Sequence, residues 1–208
     1  MALSMVHLLA ARRFARERKS IFNCPEYYLG AIAPDAMHVR FKDDKSRKNE
    51  FHLGNWTEPN DDQVFAYWKG HSSAFDLGYG VHVMTDARWI PRIKRSFPDL
   101  VNERGAVSPM PYYADVYQTD YALFEKSPER PEIFRLLASA HAPKDHPLLT
   151  AAEIETWRDM QLRFYDAPCP YSEPVRHIDV PYIFDFLNDL LPELEARIQP
   201  YFPKEEML

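Results

Sequence analysis

His82 and Asp86 are the two residues whose types and spacing most directly suggest chemistry. They lie four residues apart in the segment Gly78-Tyr-Gly-Val-His-Val-Met-Thr-Asp86, so a helix would place the imidazole and the carboxylate on one face, one turn apart. The apolar residues around them indicate that this helix is buried. A buried imidazole and carboxylate need a partner. That partner could be a divalent cation bound by both side chains, or the two side chains could form a hydrogen bond with each other. The pair alone does not favour either interpretation.

Four more residues are candidate metal ligands. Asp35 and His38 are three residues apart just after Pro34, and His52 follows a charged stretch as the chain returns to apolar sequence. His7 lies on the apolar face of the first predicted helix. Each has a simpler interpretation, because Asp35 can cap a helix through backbone N–H groups and His7 can be an ordinary core residue.

Together these candidates offer imidazole nitrogens and two carboxylates from separate segments. This mixture of ligands suits zinc, and it also suits manganese or iron. Two carboxylates allow one of them to bridge two ions, and a two-metal site can activate water and hold the oxygens of a phosphoester. The expected cofactor is therefore one or two divalent metal ions, most simply zinc.

Helices are the elements expected to position these residues. Apolar periodicity and capping residues predict a single all-α domain over residues 1–208, with no alternating segment long enough for a sheet. A short segment, 26–32, is delimited by Pro25 and Pro34, and the charged residues 40–50 are expected to form an exposed loop. Asn60 or Asp61 can cap one helix, and Pro91 should end or kink another. The predicted helices are 3–19, 61–70, one from Ser72 or Ser73 to about 97, 110–126, 130–140, 151–165 and 180–199.

The net charge of the chain bears on whether it binds nucleic acid. The 208 residues carry a formal charge of −6, and nucleic-acid-coating proteins normally show a basic excess. We therefore expect no extensive nucleic-acid surface.

Cys24 and Cys169 form no disulfide framework. The apolar start of the chain is followed at once by basic residues, which is the wrong order for a secretory signal, and no stretch is long enough to span a bilayer. We expect a cytoplasmic protein; its oligomeric state is left open.

The motifs, in this order, resemble the zinc-dependent phospholipase C family, whose wider relatives include the fungal single-strand nucleases. The resemblance covers about residues 4–90 and is carried by Met5-Val-His7-Leu-Leu-Ala-Ala-Arg, Tyr28-Leu-Gly-Ala-Ile-Ala-Pro-Asp35, Phe51-His52-Leu-Gly and Leu77-Gly-Tyr-Gly-Val-His82-Val-Met-Thr-Asp86. It implies a helical bundle of that fold. It also implies one metal site formed by Asp35, His52, His82 and Asp86, and a second to which His7 and Asp86 contribute, with Asp86 bridging and Asp35 acting as general base.

The sequence also departs from the family pattern. The secreted members use an N-terminal tryptophan as a ligand, whereas this chain begins Met1-Ala2-Leu3, and the family histidine six residues after the central aspartate is Arg92 here. The later H-x-x-x-E element has no counterpart; Asp115 and Asp120 are the nearest acidic residues. We therefore expect one or two ions, with His38 as a replacement ligand. Arg92 could bind a substrate phosphate, although a surface arginine at a helix end is the simpler interpretation.

Three functions follow from these patterns. The first is a metal-dependent hydrolase in which activated water attacks a small phosphoester, either a phosphodiester or a phosphomonoester. The second is a non-catalytic module of the same fold that keeps a structural metal. The third is a helical interaction protein without metal, whose histidines pair with carboxylates in the core.

Overall fold

The computed structural model describes residues 2–42, 44–59 and 61–203, and within these ranges the protein is all-α, as predicted. Its helices are α1 (Ser4–Phe14), α2 (Lys19–Phe22), α3 (Pro25–Gly30), α4 (Met37–Phe41), α5 (Lys48–Phe51), α6 (Asp61–Trp68), α7 (Ala74–Ser96), α8 (Pro109–Lys126), α9 (Arg130–Ser139), α10 (Ala151–Arg163) and α11 (Val180–Ile198). The described residues form no strand beyond an isolated bridge between Val101 and Val107. No helix among them is both long and apolar enough to cross a membrane.

The first helix is shorter than the predicted 3–19, because α1 ends at Phe14 and a turn of 3-10 helix, Ala15–Glu17, follows it. The other long helices follow the predicted boundaries closely. Ser73 caps α7 as expected, because its hydroxyl accepts from the Asp76 N–H while the Asp76 carboxylate accepts from the Ser73 N–H. Pro91 does not end α7, which continues to Ser96. Of the two caps considered for α6, Asn60 lies outside the described residues, and Asp61 is the first residue of the helix.

The charged residues 40–50 differ from the predicted loop at two places. Helix α4 continues to Phe41, and the short helix α5 begins at Lys48. Most of the charged side chains in this stretch are exposed, as predicted, but Lys48 is fully buried. A lysine is almost never fully buried unless its ammonium group is paired, so the partners of Lys48 bear directly on the site.

Helices α3 and α7 cross in backbone contact. A Cβ atom on Gly30 would lie 2.0 Å from the carbonyl oxygen of Phe75, and one on Gly78 would lie 2.1 Å from that of Tyr27. Only glycine allows this approach at both positions. The crossing brings α3 beside the first turns of α7, just before His82.

Replacing Gly78 with alanine is expected to lower the free energy of unfolding by about 2–4 kcal/mol, because the new methyl group must displace backbone rather than a flexible side chain. Gly70→Ala is the matched control, since a Cβ there meets no atom within 4 Å. Thermal and urea unfolding should show a large loss for Gly78→Ala and little change for Gly70→Ala. Equal effects would contradict the packing argument.

The core surrounds α1 and α7, which pack against each other and against α11. Both helices are buried over most of their length, and α1 also contacts α3 and α8. Trp89 of α7 is among the largest fully buried side chains, and its indole N–H donates to the Tyr112 hydroxyl at 2.6 Å. Polar side chains on the inner faces of α1 and α7 are therefore held in a rigid, dry environment.

Candidate metal centre

Five of the predicted ligands meet at one buried cluster. His7 comes from α1, Asp35 from a single turn of 3-10 helix at Ala33–Ala36, His52 from the residue after α5, and His82 and Asp86 from α7. We call these five residues together with Lys48 the core cluster. Asp35 is its most exposed member at 6%, and the others are 0–1% exposed. Segments distant in sequence are thus joined as the resemblance implies.

His82 is held in a defined orientation. Its Nδ1 lies 2.8 Å from the carbonyl oxygen of Ala31, which the glycine crossing of α3 and α7 places there. Its ring stacks on that of His7, with centroids 3.7 Å apart. Burial lowers the pKa of His82 well below its usual value, and His7 lowers it further. The neutral ring therefore donates from Nδ1 to Ala31 and leaves the Nε2 lone pair for the cluster, as metal-binding histidines do.

The donor atoms are spaced as ligands of one ion would be. The His52 Nε2 atom lies 3.3 Å from Nε2 of His82 and 3.4 Å from Oδ2 of Asp86. Zinc bonds of about 2.0–2.1 Å in a tetrahedron separate neighbouring ligand atoms by about 3.3–3.4 Å. Two triads could hold an ion: His52 with His82 and Asp86, and His7 with Asp35 and His82. His82 belongs to both, whereas the resemblance implies Asp86 as the shared ligand.

Several buried polar atoms of the cluster have no hydrogen-bond partner among the described residues. They are both ring nitrogens of His7, Oδ1 of Asp35 and Nδ1 of His52. Two of these atoms still lie near ionisable groups, because His7 Nε2 is 3.5 Å from Oδ1 of Asp86 and Oδ1 of Asp35 is 3.5 Å from Nε2 of His52. The unpaired atoms of His7 and Asp35 belong to the second triad. The chemistry of the donor set, imidazole nitrogens with carboxylate oxygens, fits a divalent cation.

His82 and Asp86 do not form the direct hydrogen bond of the simpler interpretation. His82 bonds with Ala31 and contacts His52, whereas Asp86 accepts from the backbone N–H of Ala2 at 3.0 Å and from Lys48. Each side chain thus has its own partners, and both face the same cluster.

Lys48 is the member of the cluster that sequence reasoning missed. Its Nζ lies 3.0 Å from Oδ2 of Asp86 and 3.6 Å from Oδ1 of Asp35. Burial by itself would raise the pKa of both carboxyls, but the Lys48 ammonium and His52 outweigh it and hold both pKa values well below the usual range. Both groups are therefore carboxylates at neutral pH. Lys48 stands in a run of charged residues, where no pattern distinguishes it.

His38 and Arg92 do not join the cluster. The Nδ1 atom of His38 contacts the carbonyl oxygen of Lys42 at 2.5 Å, and its ring lies near Trp157 at the surface. Although His38 is only three residues from Asp35, the turn between them directs the two side chains apart. Arg92 pairs with Asp189 of α11, in a cleft that no cluster residue lines. These contacts do not support His38 as a replacement metal ligand. They also do not support Arg92 as a residue that binds a substrate phosphate.

The later acidic residues serve as backbone anchors. Asp115 accepts from the N–H groups of Arg176, His177 and Ile178, so it holds the segment before α11. Asp120 accepts from the N–H of Met5 at 3.1 Å and from the Tyr165 hydroxyl at 2.5 Å. Burial raises the pKa of Asp120 to about 7 even though both donors oppose the shift.

The raised pKa of Asp120 predicts a loss of stability with rising pH. Between its usual value of 3.8 and about 7 the folded protein binds the proton more tightly than the unfolded chain, so the contribution is full below pH 3.8 and is lost as pH rises through 7. Asp120→Asn, which mimics the protonated form, should remove this dependence, a difference on the order of 2–4 kcal/mol by pH 9. Urea unfolding from pH 5 to 9 measures it. Asp185→Asn, at an exposed position, should follow the wild-type curve, and a parallel Asp120→Asn curve would contradict the assignment.

A cationic cleft of about 480 Å³ lies beside the core cluster. Lys45, Lys94 and Arg104 line it, and none of the described residues that line it is acidic. Trp56 also lines it, and the Lys48 Nζ lies 4.1 Å from the centre of the Trp56 ring. No member of the core cluster lines the cleft, and Trp56 is the lining residue that contacts Lys48. The charge of the cleft suits an anionic ligand.

Comparison of the chain with models of protein families, with curated proteins and with solved structures gave no match.

Proposed function

We propose that the protein is a metal-dependent phosphoester hydrolase of the kind that its resemblance to zinc-dependent phospholipase C implies. The observation that carries this proposal is that the His52 Nε2 atom lies 3.3 Å from the His82 donor and 3.4 Å from the Asp86 donor, as neighbouring zinc ligands do, with all three donors within 4.8 Å of one another. The cationic cleft beside the cluster supports an anionic substrate.

His52, His82 and Asp86 would hold the ion. An imidazole nitrogen has a single lone pair for a metal, and the other nitrogen of His82 donates to Ala31. The two triads therefore cannot both use His82, which favours one ion over two. Zinc is the expected metal because the donors are two imidazoles and a carboxylate, although manganese or iron can replace it.

Asp35 is the proposed general base. It is ionised at neutral pH and it is the most exposed member of the cluster, and its Oδ1 lies 3.5 Å from His52 Nε2 and 3.6 Å from Lys48 Nζ. A bound divalent ion supplies a Lewis acid and acidifies water. The Asp35 carboxylate would accept or orient a proton of the attacking water, and the cations of the cleft would bind the phosphate oxygens.

Hydrolysis of a chromogenic phosphodiester such as bis(p-nitrophenyl) phosphate tests this function. The expected result is turnover that a chelator abolishes and that one equivalent of zinc restores. A matching phosphomonoester, assayed in parallel, separates the two substrate classes. Absence of turnover of both substrates by the metal-loaded protein, or turnover that survives complete chelation, would refute the proposal.

Removing charge from the cleft should weaken substrate binding. The double variant Lys94→Ala/Arg104→Ala is expected to raise KM roughly tenfold and to change kcat by less than about threefold, because it removes phosphate contacts made in ground and transition states alike. Arg95→Ala is the control, since Arg95 is an exposed cation of α7 that lines a different cleft. An unchanged KM in the double variant would exclude this cleft as the substrate site.

A second candidate is a non-catalytic protein with a structural metal. It is favoured by the burial of the cluster, in which Lys48, His52 and Asp86 are fully enclosed. Structural sites are closed, whereas catalytic sites keep a position open. Metal that stabilises the protein without supporting turnover of any phosphoester would favour this candidate.

A further inference from the structure

We propose that Lys48 is a built-in counter-cation of the metal centre, which neutralises Asp35 and Asp86 when no metal is bound and weakens metal binding when one is. The inference depends on the metal-binding part of the proposed function. It assigns a role to a residue that the phospholipase-like motifs do not include.

The contacts of Lys48 support this role. Its Nζ lies between the two carboxylates, 3.0 Å from Asp86 and 3.6 Å from Asp35, and faces the ring of Trp56 at 4.1 Å. The side chain is 0% exposed. Two carboxylates and an aromatic face are the surroundings that a buried cation requires, so the ammonium occupies a place suited to positive charge.

The charge of Lys48 determines how the core cluster responds to loss or binding of a metal ion. Lys48 supplies one positive charge against two carboxylates, those of Asp35 and Asp86, with which it forms ion pairs. Without the ammonium the two carboxylates would lack this positive charge, at a buried site where unit charges interact strongly because water is excluded. The folded protein therefore tolerates loss of the metal because Lys48 remains, and the same ammonium repels an incoming divalent ion.

Lys48→Met tests the inference, because methionine has a similar length and no charge. The probe is zinc, titrated in competition with a chromophoric chelator. The variant, refolded in the presence of zinc, is expected to bind the ion on the order of 100-fold more tightly than the wild type. Its zinc-induced rise in Tm should also exceed that of the wild type, since the metal-free variant leaves two buried carboxylates without a cation.

Lys48→Arg is the control that keeps a cation, and its zinc affinity should stay within about threefold of wild type. Equal or weaker zinc binding by Lys48→Met, or failure of that variant to fold even with saturating zinc, would overturn the inference while leaving metal binding by the wild type intact. Zinc binding by Lys48→Met but not by the wild type would support the inference and refute the metal-dependent function. Absence of binding by both proteins would refute both.

Discussion

Replacing Asp86 with asparagine is expected to destabilise the metal-free protein by about 3–5 kcal/mol, because it removes the nearer of the two carboxylates that pair with the buried Lys48 ammonium. Both partners of this ion pair are 0% exposed, so solvent does not screen the loss. Urea unfolding in the presence of a chelator measures the effect without contribution from a bound ion.

Two variants separate this cause from the loss of side-chain packing. Asp189→Asn removes the carboxylate of an ion pair with Arg92 in which Asp189 is 70% exposed, and it should cost less than about 1 kcal/mol. Lys48→Met combined with Asp86→Asn removes both members of the buried pair and should recover most of the loss. Strict additivity of the two single effects would contradict the ion-pair explanation.

Replacing Asp35 with asparagine is expected to reduce phosphoester hydrolysis roughly 10²–10⁴-fold, because the amide cannot accept the proton. The fold should persist, and zinc should still bind, since His52, His82 and Asp86 form a triad without Asp35. The measurements are kcat on the chromogenic diester, the zinc content and the circular dichroism spectrum of the same preparation.

His38→Gln is the matched control for Asp35→Asn. It lies on the same short stretch of chain but contacts Lys42 and Trp157 rather than the cluster. Its activity should remain within about threefold of wild type. Full activity in Asp35→Asn would exclude this residue as the base, and loss of zinc from that variant would make it a ligand instead.

Local patterns predicted the parts of the fold that depend on one helix. The apolar periodicity and the Ser73 capping box define α7, and the four-residue spacing of His82 and Asp86 on that helix places both side chains toward one cluster. His7 and His52 could be proposed as partners because each adjoins apolar sequence and because the resemblance to zinc-dependent phospholipase C implies it.

The remaining features depend on contacts between distant segments. The crossing of α3 and α7 requires Gly30 and Gly78 at the same point, and neither glycine alone predicts it. Lys48 is buried because α5 places its ammonium group between Asp35 and Asp86, although the charged run around it is typical of an exposed loop. His38 is only three residues from Asp35, but its side chain contacts Lys42 and Trp157 instead of the core cluster. Closeness in sequence therefore did not predict closeness in space.

The central claim is that the core cluster binds one divalent metal ion. Calorimetric titration of the metal-free wild type with zinc, followed by elemental analysis after gel filtration, tests it most directly, with His82→Ala as the matched variant. We expect one zinc ion per chain in the wild type and loss of binding in His82→Ala, since His82 belongs to both triads. Absence of zinc binding by the wild type, or equal binding by both proteins, would contradict the account.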